Sequence, residues 1–163
     1  MNRDELSRVG LQLLTTHGLA DVSMRRVAKE LDVAVSALYW HVKDKQSLLV
    51  LISKSLKAEV DALSPATADP LAAAMSLREV LLKYRDGAEI LLLGYSIAAA
   101  DVTPLALGSR RLGAEVSQGI LTLTLGTVAV EQNRRLFDID PAAAAENFAA
   151  NAAQMLHGTR SRP

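Results

Sequence analysis

Apolar residues recur three and four positions apart along most of this chain, and that spacing is the feature that most limits its possible folds. Such positions share one face of a helix, whereas a half-buried strand alternates every two residues. One alternating run, Thr122-Leu123-Thr124-Leu125, lies within residues 116–130, which contain no hairpin turn, so we interpret it as helix. The pattern therefore predicts an all-α protein.

The first forty residues contain the signals for three short helices. Helical spacing begins at residue 6 and ends near Gly18, and a second helix follows Ser23, a favourable N-cap residue, and ends near Leu31. After a break at residues 32–34, residues 35–41 predict a third helix of about two turns. Two helices joined by a tight turn form a helix-turn-helix, whose second helix enters the major groove of DNA. Its outward positions are Val35, Ser36, Ala37, Tyr39 and His41. Two ordinary packed helices are the alternative interpretation.

A fourth helix is predicted from its N-cap residue Asp44 to about Leu63, followed by a linker at residues 64–70 that contains two prolines. Further helical stretches are predicted at residues 71–84, 88–99, 112–137 and 141–156. We place a domain boundary inside the fourth helix. The expected architecture is a three-helix helix-turn-helix DNA-binding domain over residues 1–47 and a helical ligand-binding and dimerisation domain over residues 48–163.

Composition and missing motifs narrow the functional classes. The 18 basic and 18 acidic residues balance, so DNA binding would depend on the local placement of charge. The absence of cysteine excludes disulfides, thiolate zinc sites and thiol nucleophiles, and fits a cytoplasmic location. There is no nucleophile–base spacing, glycine-rich phosphate loop or His-Glu-x-x-His pattern, so we do not expect an enzyme. No signal peptide is recognisable, and the longest apolar stretch, residues 90–100, is too short to cross a membrane.

The stretch from Gly18 to Leu49 resembles the N-terminal domain of the TetR family of bacterial repressors. The matching segments are Ser23-Met24-Arg25-Arg26-Val27-Ala28-Lys29-Glu30-Leu31, then Ala37-Leu38-Tyr39-Trp40-His41-Val42-Lys43-Asp44-Lys45, then Leu48-Leu49. The family usually has glycine where Asp32 stands, which predicts a differently bent turn and an acidic group near the polyanion.

The resemblance implies roles for the DNA-facing side chains. Arg25 would contact a phosphate or a base, Tyr39 and Lys45 would hold phosphates, and Ser36 and Ala37 would face base edges. The DNA-binding residues are thus predicted to be Arg25, Val35, Ser36, Ala37, Tyr39, Trp40, His41 and Lys45. Trp40 is equally compatible with a core position, and His41 with a surface position that has no function.

A closer resemblance is to the tetracycline-repressor branch. It rests on Tyr39-Trp40-His41-Val42-Lys43, on Tyr84-Arg85-Asp86-Gly87-Ala88 with Leu93-Gly94, and on Thr124-Leu125-Gly126-Thr127-Val128-Ala129-Val130-Glu131-Gln132. That branch uses a histidine after the Arg-Asp-Gly-Ala element to bind a magnesium-chelated drug. Here that region offers Ile90, Leu91 and Leu92 instead, so we expect neither a metal nor a cofactor.

These observations predict a DNA-binding repressor that a small hydrophobic or drug-like inducer releases from double-stranded operator DNA. Its inducer cavity would be lined by Leu56, Val60, Leu77, Leu81, Leu91, Leu92, Leu123 and Val128, with Asp61, Tyr95, Gln118 and Glu131 as polar anchors. At helical spacing these residues are equally compatible with plain core. A homodimer would form through residues 112–137 and 141–156, unless their small residues pack within one chain. The alternative is a constitutive DNA-binding or interaction module without an inducer.

Overall fold

The computed structural model describes residues 1–109 and 112–158. Within these ranges the chain is helical and contains no strand, which confirms the all-α prediction. The helices are α1 (Arg3–His17), α2 (Met24–Glu30), α3 (Val35–Leu38), α4 (Lys45–Leu63), α5 (Pro70–Lys83), α6 (Gly87–Val102), α7 (Ala114–Leu136), α8 (Ala142–Ala145) and α9 (Phe148–Gly158), with a 3₁₀ turn at Leu19–Asp21 between α1 and α2. None of the helices in the described ranges is long and apolar enough to cross a bilayer.

The helix α1 begins with a reciprocal cap and packs closely on α4. The Asn2 side chain accepts a hydrogen bond from the Glu5 amide, and the Glu5 side chain accepts one from the Asn2 amide, so two otherwise unpaired donors are satisfied. Further along, Gly10 faces Ile52 of α4. A Cβ on Gly10 would lie 2.4 Å from Ile52 Cδ1. The two helices can therefore lie this close together only because Gly10 has no side chain.

The helix α4 runs from the N-terminal helices into the rest of the protein, and α6 packs along it. The buried Ser53 hydroxyl donates to the carbonyl of Leu49 on its own helix or of Ile90 on α6, each at 2.9 Å. A Cβ on Gly94 would lie 2.3 Å from Ser53 Oγ. The helix α6 is kinked at Ala98, where the backbone is not helical. Since α4 and α6 approach so closely, a shift of one must displace the other.

The helices α5, α7 and α9 pack together on the other side of the protein. Gln132 of α7 fixes the turn into α6: its amide nitrogen donates to the Leu81 and Tyr84 carbonyls at 3.0 and 2.7 Å, and its oxygen accepts from the Ala88 amide at 3.2 Å. A bidentate ion pair between Arg78 of α5 and Glu131 of α7 lies nearby. These contacts hold the turn between α5 and α6 in a fixed position against α7.

Three helix limits differ from the sequence prediction. The helix α3 ends at Leu38 instead of continuing to His41, and α6 continues to Val102. The stretch predicted as one helix over residues 141–156 is divided into α8 and α9. The alanines of α8 bury no side chain, whereas α9 buries Phe148 and Ala152. The predicted domain boundary falls in the first turn of α4, which continues without a break, so the division into two domains stays a prediction.

Candidate nucleic-acid interface

The turn between α2 and α3 is a compact helix end that suits a helix-turn-helix. The Val33 amide donates to the Ala28 carbonyl at 3.0 Å, and the Asp32 amide donates to the Lys29 carbonyl at 3.2 Å. These two bonds form a Schellman motif, in which the residue after the cap adopts the left-handed conformation that glycine prefers. Asp32 adopts it here, with φ of 52°. Aspartate thus takes the left-handed conformation that glycine favours, and the different bend of the turn stays a prediction.

An apolar core holds α2 against α3. Val27, Ala28 and Leu38 are buried, and Leu31 and Val33 are partly buried against them. The small side chain of Ala28 lies next to the turn, as two closely crossing helices require. With its inner face packed, α3 has only its outer face available for a partner.

The predicted DNA-binding side chains are all accessible to some degree. Arg25, Ser36, Tyr39, Trp40 and Lys45 are exposed, and Val35, Ala37 and His41 are partly exposed. Trp40 is 87% exposed and Tyr39 is 56% exposed. A core role for Trp40, the alternative left open by the sequence, is therefore excluded in this structure.

The structure adds Arg3 to this region, which the sequence analysis missed. The Arg3 Nε donates to the His41 carbonyl at 3.1 Å, so the start of α1 supports the turn that follows α3. Arg3 and Lys43 line a cleft with Tyr39, Trp40 and His41. A contact between residues 38 positions apart leaves no signal in the local sequence pattern; the only hint is the basic character of Arg3.

The N-terminus of α4 is capped and carries a lysine. The Asp44 carboxylate accepts from the Ser47 amide at 2.7 Å and from the Ser47 hydroxyl at 2.8 Å. These hydrogen bonds, the backbone one first, lower the pKa of Asp44 below its usual value. Lys45 is exposed at the first helical position, where free amides and the positive end of the helix dipole favour a phosphate. The arrangement can therefore hold a DNA backbone beside α3.

Comparison with known proteins identifies this arrangement. Residues 7–52 match the family model of bacterial regulatory proteins of the tetR family. This segment, 46 of the 163 residues, therefore resembles the N-terminal domain of the TetR family. The chain is 36% identical over 96 residues to the class D tetracycline repressor protein of Escherichia coli, covering 55% of this chain and 44% of that protein. It is 37% identical over 89 residues to the class A repressor from transposon 1721 of Escherichia coli, covering 51% and 41%. The match thus spans less than half the length of these curated relatives.

Solved structures show the same fold. The crystal structure of Mycobacterium smegmatis BioQ has a TM-score of 0.79 at 23% identity and covers 97% of both chains. BioQ with its natural double-stranded DNA operator has a TM-score of 0.77 at 22% identity, covering 99% of both. A single-substitution variant of TetR from Acinetobacter baumannii AYE, in complex with minocycline, has a TM-score of 0.76 at 22% identity, covering 98% of this chain and 97% of that one.

Most of the predicted inducer-binding leucines and valines lie in the core of the protein. Those almost wholly buried are Leu56, Val60, Leu77, Leu81, Leu91 and Val128, and Leu123 is partly buried. Leu92 and Tyr95 differ, since both line an open groove between α6 and α7. Tyr95 also lines a second hollow together with the exposed Gln118. The structure thus brings two of the twelve predicted residues together at a groove, and the assignment of all twelve stays a prediction.

Two predicted polar anchors are engaged within the chain. Asp61 pairs with Lys57 and accepts a hydrogen bond from the Leu105 amide at 2.7 Å. Glu131 is only 1% exposed and binds Arg78 through both carboxylate oxygens, at 2.9 and 2.7 Å. No group of three metal-ligating side chains occurs in the part of the chain that the structure describes. A ligand would have to break existing contacts to reach either carboxylate.

A contact between the helix-turn-helix and α6 was also missed by the sequence analysis. The Asp86 carboxylate accepts from the Leu19 amide at 2.8 Å. Gly18, with φ of 85°, makes room for it, since a Cβ there would lie 2.7 Å from Asp86 Oδ2. The Arg-Asp-Gly-Ala element was recognised as a motif, but its partner lies 67 residues away.

Tyr84 anchors the same turn to α4. Its hydroxyl donates to the Glu59 carboxylate. Burial, and then the hydrogen bond and negative charge of Glu59, raise the pKa of Tyr84 to about 12. The tyrosine therefore remains a protonated donor at neutral pH. Through Glu59 and Asp86, the α5–α6 turn contacts both α4 and the end of α1.

Proposed function

We propose that this protein is a transcriptional repressor that binds operator DNA as a homodimer and is released by a small hydrophobic or drug-like inducer. The single observation that carries the DNA-binding role is the exposed outer face of α3 beside Lys45, in a segment that matches the TetR regulatory family. Ser36 and Ala37 would face base edges, and Arg25, Tyr39 and Lys45 would contact phosphates.

Dimerisation is proposed because one recognition helix buries too little surface for tight, specific binding and operators of this kind have two half-sites. The helix α7 begins with small residues, the exposed Gly113 and Ala114, and α9 presents the exposed Ala149 and Ala150. Small side chains allow close helix approach across a two-fold axis. The two α3 helices would then lie about 34–36 Å apart, one turn of the DNA helix.

Release by an inducer is proposed because the proposed ligand-binding domain is connected to the N-terminal helices at two places. α4 leads directly from Lys45 into the core, and Asp86 holds the Leu19 amide. A ligand that prefers a shifted position of α6 would move both connections and change the spacing of the two α3 helices.

The test is selection of an operator from a pool of random duplexes, followed by fluorescence anisotropy on the enriched site. The proposal expects an inverted repeat with half-sites about one helical turn apart, bound at two chains per duplex. A bound ligand should lower the affinity for this site. Failure to enrich any sequence, with no binding to duplex DNA even at low salt, would contradict it.

A second candidate is a constitutive DNA-binding module without an inducer. It is favoured by the tight packing of Leu56, Val60, Leu77 and Leu81, all fully buried and all predicted to line a cavity. A thermal-shift screen with hydrophobic compounds separates the two candidates, because ligand binding raises the unfolding temperature. A screen without hits, for a protein that binds its operator, would favour the constitutive module.

A further inference from the structure

The groove between α6 and α7 is an open apolar cavity of about 320 Å³. Its apolar lining includes Leu92, Tyr95, Leu121 and Leu125, and Leu92 is 50% exposed although it is a leucine. Gly126 of α7 borders the open space of the groove, since a Cβ built there meets no atom within 4 Å. The volume is at the small end of the range of about 300–1,000 Å³ for drug-sized ligands.

One end of this groove is acidic. Asp86 and Glu89 line it where α6 begins, and none of the residues that line it is lysine, arginine or histidine. Glu89 is exposed, whereas the Asp86 carboxylate accepts a hydrogen bond from the Leu19 amide. The polar groups of Gln132, which also lies at this end, bond to the Leu81, Tyr84 and Ala88 backbone. The net charge of the residues that line this end is therefore negative.

From this combination we infer that the α6–α7 groove binds a hydrophobic monocation, with its rings on Leu92, Tyr95 and Leu125 and its charge beside Glu89 and Asp86. Apolar surface supplies most of the affinity, and the two carboxylates favour a positive over a negative charge of the same shape. An anion would meet two like charges without a basic partner among the lining residues. The inference rests on the proposed function and names its class of inducer.

The site also explains how occupancy would reach the DNA-binding helices. Asp86 lines the groove, and its carboxylate accepts the Leu19 hydrogen bond. A cation beside Asp86 competes with the Leu19 amide for the same carboxylate. The ligand therefore weakens the contact that holds the end of α1 against α6.

The experiment uses two probes of nearly equal shape and opposite charge, tetraphenylphosphonium and tetraphenylborate, titrated calorimetrically into the full chain. We expect one phosphonium per chain and at least ten-fold weaker binding of the borate. Gly126→Leu fills the groove and should weaken phosphonium binding at least ten-fold. Glu89→Gln removes one of the two charges and should weaken it about five-fold. Ala72→Leu, at an exposed position of α5 outside the groove, is the bulk-matched control and should bind as the wild type does.

Equal affinity for the two probes, or unchanged phosphonium binding in the Gly126→Leu protein, would overturn the inference. Circular dichroism and sedimentation of each variant accompany the titrations. If Gly126→Leu dissociates a dimer and the wild type does not bind phosphonium, the groove is covered by a second copy and the inference is wrong. Operator binding is measured separately: a protein that binds its operator but not phosphonium keeps the proposed function and loses this site. A protein that binds phosphonium selectively but no DNA keeps this site and loses the proposed function.

Discussion

Asp32 holds the turn between α2 and α3 in the left-handed conformation and brings a carboxylate to the helix pair proposed to meet DNA. A backbone position that favours glycine has thus been filled by one of the few other residues that tolerate it. The left-handed conformation is kept, and in the proposed complex with DNA the negative side chain would repel the phosphates.

Replacing Asp32 with asparagine should tighten DNA binding about two- to five-fold at low salt, which corresponds to about 0.4–1 kcal/mol and lies within the range for an exposed charge interaction. Asparagine tolerates the same φ and lacks the charge. Anisotropy at several salt concentrations checks this, and the gain should shrink as salt screens the charges. Asp138→Asn is the matched control, since Asp138 has φ of 55° beyond the end of α7 and should leave the affinity unchanged. Equal gains in both variants would contradict the placement of Asp32 near DNA.

Asp44 makes the acid stability of α4 testable. Its pKa is lowered from 3.8 by the Ser47 hydrogen bonds, so its stabilising effect is complete above the unfolded value and is lost as the pH falls through the lower folded value. Asp44→Asn keeps a good N-cap without a titrating group. We expect the variant and the wild type to have similar unfolding temperatures at pH 7. Between about pH 4 and pH 2 the unfolding temperature should fall less in the variant than in the wild type, as measured by thermal unfolding. An unchanged acid slope would argue against the role of this cap.

At the level of helices, the contact between α5 and α7 depends on an asymmetric ion pair. The Glu131 side chain is 1% exposed and that of Arg78 is 22% exposed. The Arg78 guanidinium also lies over the Phe148 ring of α9, at 5.9 Å from its centroid. One arginine therefore connects three helices, and its loss leaves a carboxylate without a partner in the core.

Arg78→Met should destabilise the protein by about 3 kcal/mol, because an unpaired buried carboxylate remains. Glu131→Leu should cost only about 1 kcal/mol, since the partly exposed Arg78 can turn to solvent. Urea unfolding at one fixed protein concentration compares them, because dimerisation makes stability depend on concentration. Equal costs, or a greater cost for Glu131→Leu, would show that the buried carboxylate is not the dominant cause.

The helices that sequence predicts well are those whose limits are set locally. The starts of α2 and α4 follow from Ser23 and Asp44, whose side chains accept from the Arg26 and Ser47 amides. The division between α8 and α9 could not be predicted, because alanine favours helix equally on both sides and only the burial of Phe148 distinguishes them.

The same distinction applies to the sites. The exposed residues of the α3 region could be predicted because α3 has one packed and one free face. The residues of α6 that line the groove could not, since α6 packs on several helices. In that helix Leu91 is 1% exposed and Leu92 is 50% exposed. Only the three-dimensional arrangement shows which neighbour faces the groove, and the Asp86–Leu19 contact is equally non-local.

For the whole molecule, the Asp86–Leu19 hydrogen bond makes the link between α6 and the end of α1 testable. Asp86→Gly keeps the left-handed conformation, with φ of 55° in the wild type, but removes the acceptor. Without ligand, the Leu19 amide should exchange with solvent at least ten-fold faster in hydrogen exchange, and operator affinity should fall because the binding arrangement is less populated. Asp86→Asn retains an acceptor and should stay close to the wild type. Unchanged exchange in Asp86→Gly would show that the contact does not hold the two parts together.

The central claim is that two copies of the α3 region bind one DNA duplex. The most direct test is the salt dependence of operator binding, measured for the wild type, Lys45→Ala and Lys83→Ala. Both lysines are exposed, but Lys83 ends α5 and lies close to Glu79. Each lysine–phosphate contact contributes about 0.9 to the slope of log affinity against log salt. The account predicts that Lys45→Ala lowers the slope by about 1.8, two contacts per dimer, while Lys83→Ala leaves it unchanged. Identical slopes for all three proteins would contradict the claim.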